Sequence, residues 1–297
     1  LDPYMRGRMN DAKSYAKPVA LGEVMEAGGV GEVIESRSPS YKPGDIVVGP
    51  TGWQEYSALG DKFVRKIDPG LAPISTSVGV LGMPGLTAYS GLMTFGKPCK
   101  GESIVVSAAS GAVGSVVGQI AKLKGCHVIG VAGSDDKCEY VVNELGFDKC
   151  LNYRNDNFRQ DLISSCESGV DIYWENVGGT TFEAVLPLMN DFGRIPVCGL
   201  IAHYNQTDLP MRKDRLPVLF RNILTKRLLL RGFIVWDLKE QEEEALSSLT
   251  SLVSEGKIKY KEDLVEGIES APEAFIGLLE GKNFGKLLVK TDLQSNH

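Results

Sequence analysis

"IVVSAASGAVGSVVGQIAKLKGCHVIGVAGSDDK", residues 104–137, reads as an apolar strand, a glycine turn, a helix and a second apolar strand. A glycine turn between a strand and a helix lets backbone amides approach an anion, and the helix N-terminus adds its partial positive charge. The three glycine positions of the dinucleotide-binding pattern fall on Ala109, Gly111 and Gly114, so the first is alanine. Gly111 leaves room for a pyrophosphate, Gly114 lets the helix pack closely on the sheet, and the amides of Ala112, Val113 and Gly114 face the anion. Packing alone is the plainer reading of such a turn, but the twelve-residue amphipathic helix and the second strand that follow supply the context the pattern needs.

The second strand runs into "VAGSDDK", residues 131–137, with no acid at its end. An Asp or Glu there bonds the ribose 2′-hydroxyl of NAD and repels a 2′-phosphate. Gly133 and Ser134 leave room and donors and Lys137 adds a positive charge, which favours NADP(H). Asp135 and Asp136 start the next helix, where acids complement the dipole. Lys137 also reads as an ordinary solvated helix lysine.

The strand and helix alternation extends on both sides. Strands are predicted at 103–107, 127–131, 149–152, 171–175, 194–198 and 229–235, which makes an α/β fold with a doubly wound, six-stranded parallel sheet. The segment 239–257 predicts a helix with an acidic start and a basic end. Before residue 83, the runs at 28–36, 41–49, 53–59 and 63–68 read as strands of a partly closed antiparallel β domain. At the C-terminal end Ser270 is expected to cap a helix that Gly281 ends, with a last strand at Lys286–Lys290. The predicted domains are 1–83, β-rich and catalytic; 84–255, dinucleotide-binding; and 256–297, returning to the first.

A chain of 297 residues, 43% hydrophobic and with a formal charge of -6, is sized for two domains and lacks a basic block for nucleic acid. The weakly polar run at 78–95 is interrupted by Met83, Pro84 and Gly85, so no membrane segment is read. Six scattered cysteines without a CxxC pair predict free thiols in the cytoplasm. With only His127, His203 and His297 available, no zinc ligand set can be assembled, and no hydrolase elbow is present. No metal is expected; a substrate carbonyl is then polarised by hydrogen bonds.

The segments "LDPYMRGRMN" (1–10), "GMPGLTAYSGL" (82–92), "AASGAVGSVVGQIAK" (108–122), "ENVGG" (175–179), "FGRIPVCGLIAHYN" (192–205) and "GKNFGKLLVK" (281–290) together resemble the zinc-independent medium-chain dehydrogenase/reductase family. The branch resembled is that of prostaglandin and leukotriene reductases, plant double-bond reductases and bacterial curcumin reductases. The resemblance implies a GroES-like catalytic domain beside the Rossmann domain, and further strands ahead of residue 1 that this chain lacks. It implies an NADPH-dependent, metal-independent reduction of the carbon–carbon double bond of small hydrophobic α,β-unsaturated ketones and aldehydes, by a homodimer.

By the same resemblance Gly111, Ala112, Val113 and Gly114 hold the pyrophosphate, and Lys137 and Tyr153 the 2′-phosphate. Asn176 lies by the ribose, and Cys198, Gly199, Leu200, Ile201 and Tyr204 line the nicotinamide half. Phe233, Ile234 and Val235 offer backbone to the carboxamide at the end of the sixth strand, and Asn283 reaches the cofactor from the C-terminal segment. Tyr153, Phe233 and Cys198 read equally as core residues, and Asn176 as a turn residue. Tyr15 matches a position where the family places a tyrosine beside the substrate, and is the candidate donor to the enolate oxygen; a surface loop tyrosine is the plainer reading. Thr225 stands where relatives can carry a substrate-side tyrosine, and solvent is an alternative source of the final proton. A quinone reductase and a non-catalytic NADPH-binding protein are the competing functions left open.

Overall fold

The computed structural model describes residues 1–11, 13–206 and 214–291. Contacts divide the chain into two compact units, one of Leu1–Gly82 with the chain from Lys261 onward, and one of Met83–Tyr260. In the first unit, α1 (Met5–Arg8) precedes an antiparallel sheet of β1 (Gly29–Glu32), β2 (Ile46–Gly49) and β3 (Arg65–Lys66) in the order β1-β2-β3. The expected strand at 53–59 is absent. Gln54 Nε2 and Ser57 Oγ both donate to the Thr51 carbonyl, at 2.7 and 3.1 Å, so local side-chain bonds fold this stretch on itself.

The second unit runs α2 (Met83–Gly91), β4 (Ser103–Ser107), α3 (Gly114–Leu123), β5 (His127–Ala132), α4 (Asp135–Asn143), β6 (Lys149–Asn152), α5 (Phe158–Ser165), β7 (Val170–Trp174), α6 (Gly179–Val185), β8 (Met189–Val197), α7 (Leu216–Lys226), β9 (Leu229–Gly232) and α8 (Glu242–Ser254). Its six strands form one parallel sheet in the order β6-β5-β4-β7-β8-β9. The doubly wound sheet expected from the sequence is therefore present. Ile104, Val105, Val106, Val128, Ile129 and Ile172 are fully buried, as strands covered on both faces require. The order reverses between β4 and β7, and this switch point is where open α/β sheets bind ligands.

Three boundaries depart from the sequence reading. α3 spans ten residues rather than twelve and is buried from Gly114 to Ala121. Its polar Gln119 is satisfied inside, donating to Ser115 O at 3.0 Å and Lys259 O at 2.8 Å and accepting from Lys259 N at 2.8 Å. β8 begins at Met189 because Phe192, with φ 62°, turns the chain between the Val170 and Ile172 registers. β9 stops at Gly232, not Val235. Asp237 Oδ2 accepts from Ile234 N at 3.1 Å while Asp237 N donates to Ile234 O at 2.9 Å, and this reciprocal pair starts a short 3₁₀ helix at Val235.

Returning to the first unit, β10 (Glu262–Glu266), α9 (Ala271–Leu279) and β11 (Lys286–Lys290) follow, with β10 and β11 parallel. Ser270 does not cap α9 with its side chain, because its hydroxyl donates backward to Glu266 O at 2.8 Å. Gly281 follows the helix with φ 73°, the left-handed turn expected of a glycine there. Met5, Phe275, Leu278 and Leu287 make this unit's core, with the Trp53 ring edge-on to Phe275 at 5.6 Å.

At the N-terminal end of the large sheet Arg194 grips Glu102 with two bonds of 2.8 and 2.7 Å and gives Nε–H to Gly96 O at 3.0 Å. Burial alone raises the Glu102 carboxyl, but the Arg194 guanidinium and the Cys99 amide outweigh it and hold the group below its ordinary value. Its stabilising contribution is therefore present at neutral pH and lost as pH falls through that lowered range. Glu102→Gln should cost about 1–2 kcal/mol at neutral pH, a difference that shrinks toward zero as pH falls through the lowered range of the carboxyl, measured by urea unfolding across pH.

Candidate functional site

The turn after β4 is set by one backbone carbonyl. Ala108 adopts a left-handed φ of 50°, a conformation that L residues other than Gly, Asn and Asp rarely take. Its carbonyl accepts from Gly111 N at 3.0 Å, and Ala109 N is anchored to Val131 O of β5 at 3.0 Å. A Cβ on Gly114 would sit 2.3 Å from the Ala108 oxygen, so only glycine fits where α3 begins. A Cβ on Gly111 would lie 3.2 Å from the same atom, a contact that can relax. Among the described residues the amides of Ala112 and Val113 find no acceptor, and they head α3 at the switch point. These are the donors an anion takes at a helix N-terminus.

At the end of β5, Gly133 lies against the Tyr153 ring; a Cβ there would approach Tyr153 Cε1 to 3.2 Å. Tyr153 is 38% exposed, its N–H bonded to Ala132 O at 3.0 Å, so β5 and β6 place a phenol platform beside the glycine. Arg154 stacks its guanidinium 5.6 Å from the Tyr153 ring centroid. Lys137 stands in the first turn of α4, just beyond Gly133 and Ser134. The two acids are engaged elsewhere. Asp135 accepts from Asn152 Nδ2 at 2.9 Å, and the Ser134 hydroxyl holds the Asp136 carboxyl below its ordinary value. Arg154, a second cation at this corner, was missed although it adjoins Tyr153 in the sequence.

The loops after β7 and β8 are bonded to one another. Asn176 spends its side chain locally, giving Nδ2–H to Ser107 O at 2.6 Å and accepting from Trp174 Nε1 at 3.1 Å. Its carbonyl accepts from Ile201 N at 3.1 Å, and Val177 O accepts from Ala202 N at 3.0 Å. Gly178, at φ 77°, leaves no room for a Cβ beside His203, which would be 2.9 Å away. Leu200 N donates to Tyr204 Oη at 3.3 Å, and Gly199 faces the same hydroxyl. Burial and then the neighbouring Glu175 charge push the Cys198 thiol up to about 12, so it remains neutral. Thus residues 198–204 do come together with Asn176, at the carboxyl ends of β7 and β8. Glu175, whose carboxyl ties these loops, was also missed.

Phe233 is core. Its ring packs at 5.7 Å on Trp174 and 5.3 Å on Phe95. The position at the end of a sixth strand expected for Phe233, Ile234 and Val235 is corrected to a post-strand turn, in which the Ile234 N–H and carbonyl are already committed to Asp237. In the other unit, Tyr15 is 58% exposed with the Arg8 guanidinium 4.7 Å from its ring centroid, and Arg8 is held by Glu26 at 3.0 Å. Asn283 donates to Gly285 O of its own loop at 2.8 Å.

A parallel sheet with open backbone amides at its switch point, and with glycine, a phenol and cations beyond its second strand, is the arrangement with which doubly wound oxidoreductase folds receive a dinucleotide. Residues 1–67 match the family model described as the N-terminal domain of oxidoreductase, and 112–251 match zinc-binding dehydrogenase. The chain is 52% identical to the NADPH-dependent curcumin reductase of Escherichia coli over 98% of its own length and 84% of the relative's. It is 42% identical to the NADP(+)-dependent 2-alkenal reductase of Nicotiana tabacum, over 97% and 83%, and 42% identical to prostaglandin reductase 1 of Bos taurus, over 98% and 86%. The crystal structure of CurA in complex with NADPH from Vibrio vulnificus superposes with a TM-score of 0.94 at 50% identity, covering 98% of this chain and 87% of that one. The chain belongs to the medium-chain dehydrogenase/reductase family, in the branch of the curcumin, alkenal and prostaglandin reductases.

The side chains do not fit the zinc named in one family description. Among the described residues no three His, Cys, Asp or Glu side chains are grouped to hold a metal ion. His127 pairs with Asp148 at 3.3 Å and His203 with Gln206 at 3.0 Å, while His297 lies outside the described residues.

The two glycines should respond differently. Gly114→Ala should cost about 3 kcal/mol, because the clash is with backbone. Gly111→Ala should cost about 1 kcal/mol or less yet weaken nucleotide binding at least tenfold, roughly 1.4 kcal/mol, since only the bound anion needs that space. Thermal unfolding with and without nucleotide separates the two effects.

Proposed function

We propose that the chain reduces the carbon–carbon double bond of α,β-unsaturated ketones and aldehydes with NADPH. What supports this above all is the 52% identity to an NADPH-dependent curcumin reductase, joined by the Gly133–Tyr153 corner, where Lys137 and Arg154 supply positive charge. Once bound, NADPH supplies a hydride to the β-carbon of the enone. The chain's own residues hold and shield. Ala112 and Val113 amides and the α3 N-terminus take the pyrophosphate, with Gly111 and Gly114 leaving it room. Lys137, Tyr153 and Arg154 take the 2′-phosphate, as a charge-assisted contact with a planar guanidinium beside it. Asn176 keeps one amide hydrogen for the ribose. Cys198, Gly199, Leu200, Ile201 and Tyr204 flank the nicotinamide, and the Cys198 thiol, being neutral, adds no charge there. The carboxamide is met by backbone of Phe233 and Val235, since the Ile234 amide is spent.

Hydride addition at the β-carbon loads negative charge on the carbonyl oxygen, and a positioned hydroxyl stabilises it. The family resemblance is what proposes Tyr15 for that role; within its own unit its ring lies 4.7 Å from the Arg8 guanidinium. Six free cysteines support the cytoplasm as its compartment, and among the described residues no helix is long and apolar enough to cross a membrane. The open edge of β9, with Leu229 exposed, supports association as a homodimer.

With NADPH deuterated at C4 and a simple enone, the saturated ketone should carry deuterium on its β-carbon by NMR. Tyr15→Phe should lower kcat by about 10- to 100-fold while NADPH affinity stays unchanged. Absence of saturated product would refute the proposed reaction; unaltered kcat in the variant would remove Tyr15 and leave the proton to solvent.

A further inference from the structure

The most enclosed charged group near the switch point is Glu175, at 0% exposure, in company with Ser107 and Tyr173 at 0% each. A buried carboxyl persists only where donors replace the water it has lost. Glu175 Oε1 accepts from Val177 N at 2.5 Å and Ser107 Oγ at 3.0 Å, Oε2 accepts from Tyr173 Oη at 2.9 Å, and the Gly178 amide is a further donor. Ser107 Oγ in turn accepts from Asn176 N at 2.8 Å. The main chain of the same residue works in the other direction. Glu175 N donates to Pro196 O at 3.0 Å, and Glu175 O accepts from Cys198 N at 2.8 Å and Gly199 N at 3.1 Å. One residue thus joins the end of β4, the turn after β7 and the loop after β8.

We propose that Glu175 is a positioning residue for the dinucleotide, whose buried carboxylate fixes the loops on both sides of the switch point in the geometry that receives the ribose and nicotinamide. This rests on the NADPH reading above. Glu175 itself touches no reacting atom; it acts through Asn176, Val177, Cys198 and Gly199.

The carboxylate form is the one that accepts every donor. Adding a proton turns one oxygen into a donor: the Val177 and Gly178 amides can only donate to this carboxyl, and the Tyr173 and Ser107 hydroxyls must turn to accept, Ser107 Oγ having Trp174 O at 3.1 Å as its other acceptor, so the charge-assisted set that ties the loops is lost. Burial raises the Glu175 carboxyl above its ordinary value, and the Val177 and Gly178 amides, Tyr173 and Ser107 offset part of that rise. The titratable groups facing it are Tyr173, raised well above its ordinary value by burial and by Glu175, and the Cys198 thiol, so neither carries charge in the same range. The positioning is therefore complete at alkaline pH and fades on acidification.

Glu175→Gln keeps the shape and removes the charge. Titrating NADPH into the parent chain and the variant, with cofactor fluorescence as the readout, gives the ratio of their dissociation constants at each pH. The 2′-phosphate titrates in both proteins and cancels in that ratio. The expected ratio is about tenfold above the raised range in which the Glu175 carboxyl titrates, falling toward unity as pH drops through that range, where the protonated parent carboxyl resembles the amide. Tyr173→Phe removes one donor, raises the carboxyl further and should move this decline to higher pH. In the cofactor-free variant, amide exchange at Val177, Cys198 and Gly199 should quicken. A ratio that is flat with pH, with unaltered exchange at those amides, overturns the role of Glu175 while leaving the cofactor assignment standing. Absence of NADPH binding by the parent chain overturns the cofactor assignment and this role together.

Discussion

The Ala108 carbonyl is the point on which the large unit turns. Strand β4 has to end, reverse its direction and start a helix within a few residues, and it does so by holding Ala108 at φ 50° so that one oxygen faces both Gly111 and Gly114. The strain of a left-handed alanine is of order 1–2 kcal/mol and persists because β5 anchors the next residue and α3 is buried from Gly114 to Ala121. From this turn follow the amides of Ala112 and Val113, which find no acceptor among the described residues, and their place at the carboxyl edge of the sheet.

Around that turn the electrostatics are asymmetric. The second strand end presents glycine, a phenol and cations, while Asp135 and Asp136 are drawn into helix-start and β6 contacts. On the other side of the switch point the buried Glu175 carboxyl is surrounded by donors and the nearby Cys198 thiol is kept neutral, so the loops after β7 and β8 offer backbone and apolar surface rather than charge. A hydride acceptor with an apolar body suits such a surface, and a developing oxyanion then depends on a hydroxyl brought to it.

Much of this was legible in the sequence because buried parallel strands are short apolar runs and glycine turns have few alternatives. The bounds of β4 and β6 were read as they stand, as was the glycine turn that leads from β4 into α3. What was not legible depends on bonds between residues whose partners cannot be seen along the chain. The end of β9 is set by Asp237 reaching back to Ile234, and the loss of a strand at 53–59 by two side chains converging on Thr51. Ser270 had the composition of a cap but spends its hydroxyl on Glu266. Glu175 reads as an ordinary acid before a glycine pair, and only the fold shows it enclosed by Ser107 and Tyr173. Arg154 gains meaning only once Tyr153 is seen against Gly133.

The central claim is that the acid-free, cationic end of β5 selects a 2′-phosphate, and competitive titration of the unmodified chain with NADPH and NADH tests it most directly. The account predicts NADPH binding at least tenfold tighter, a difference of about 1.4 kcal/mol or more, with the gap narrowing as ionic strength rises. Equal affinity for the two cofactors, or tighter binding of NADH, would contradict it.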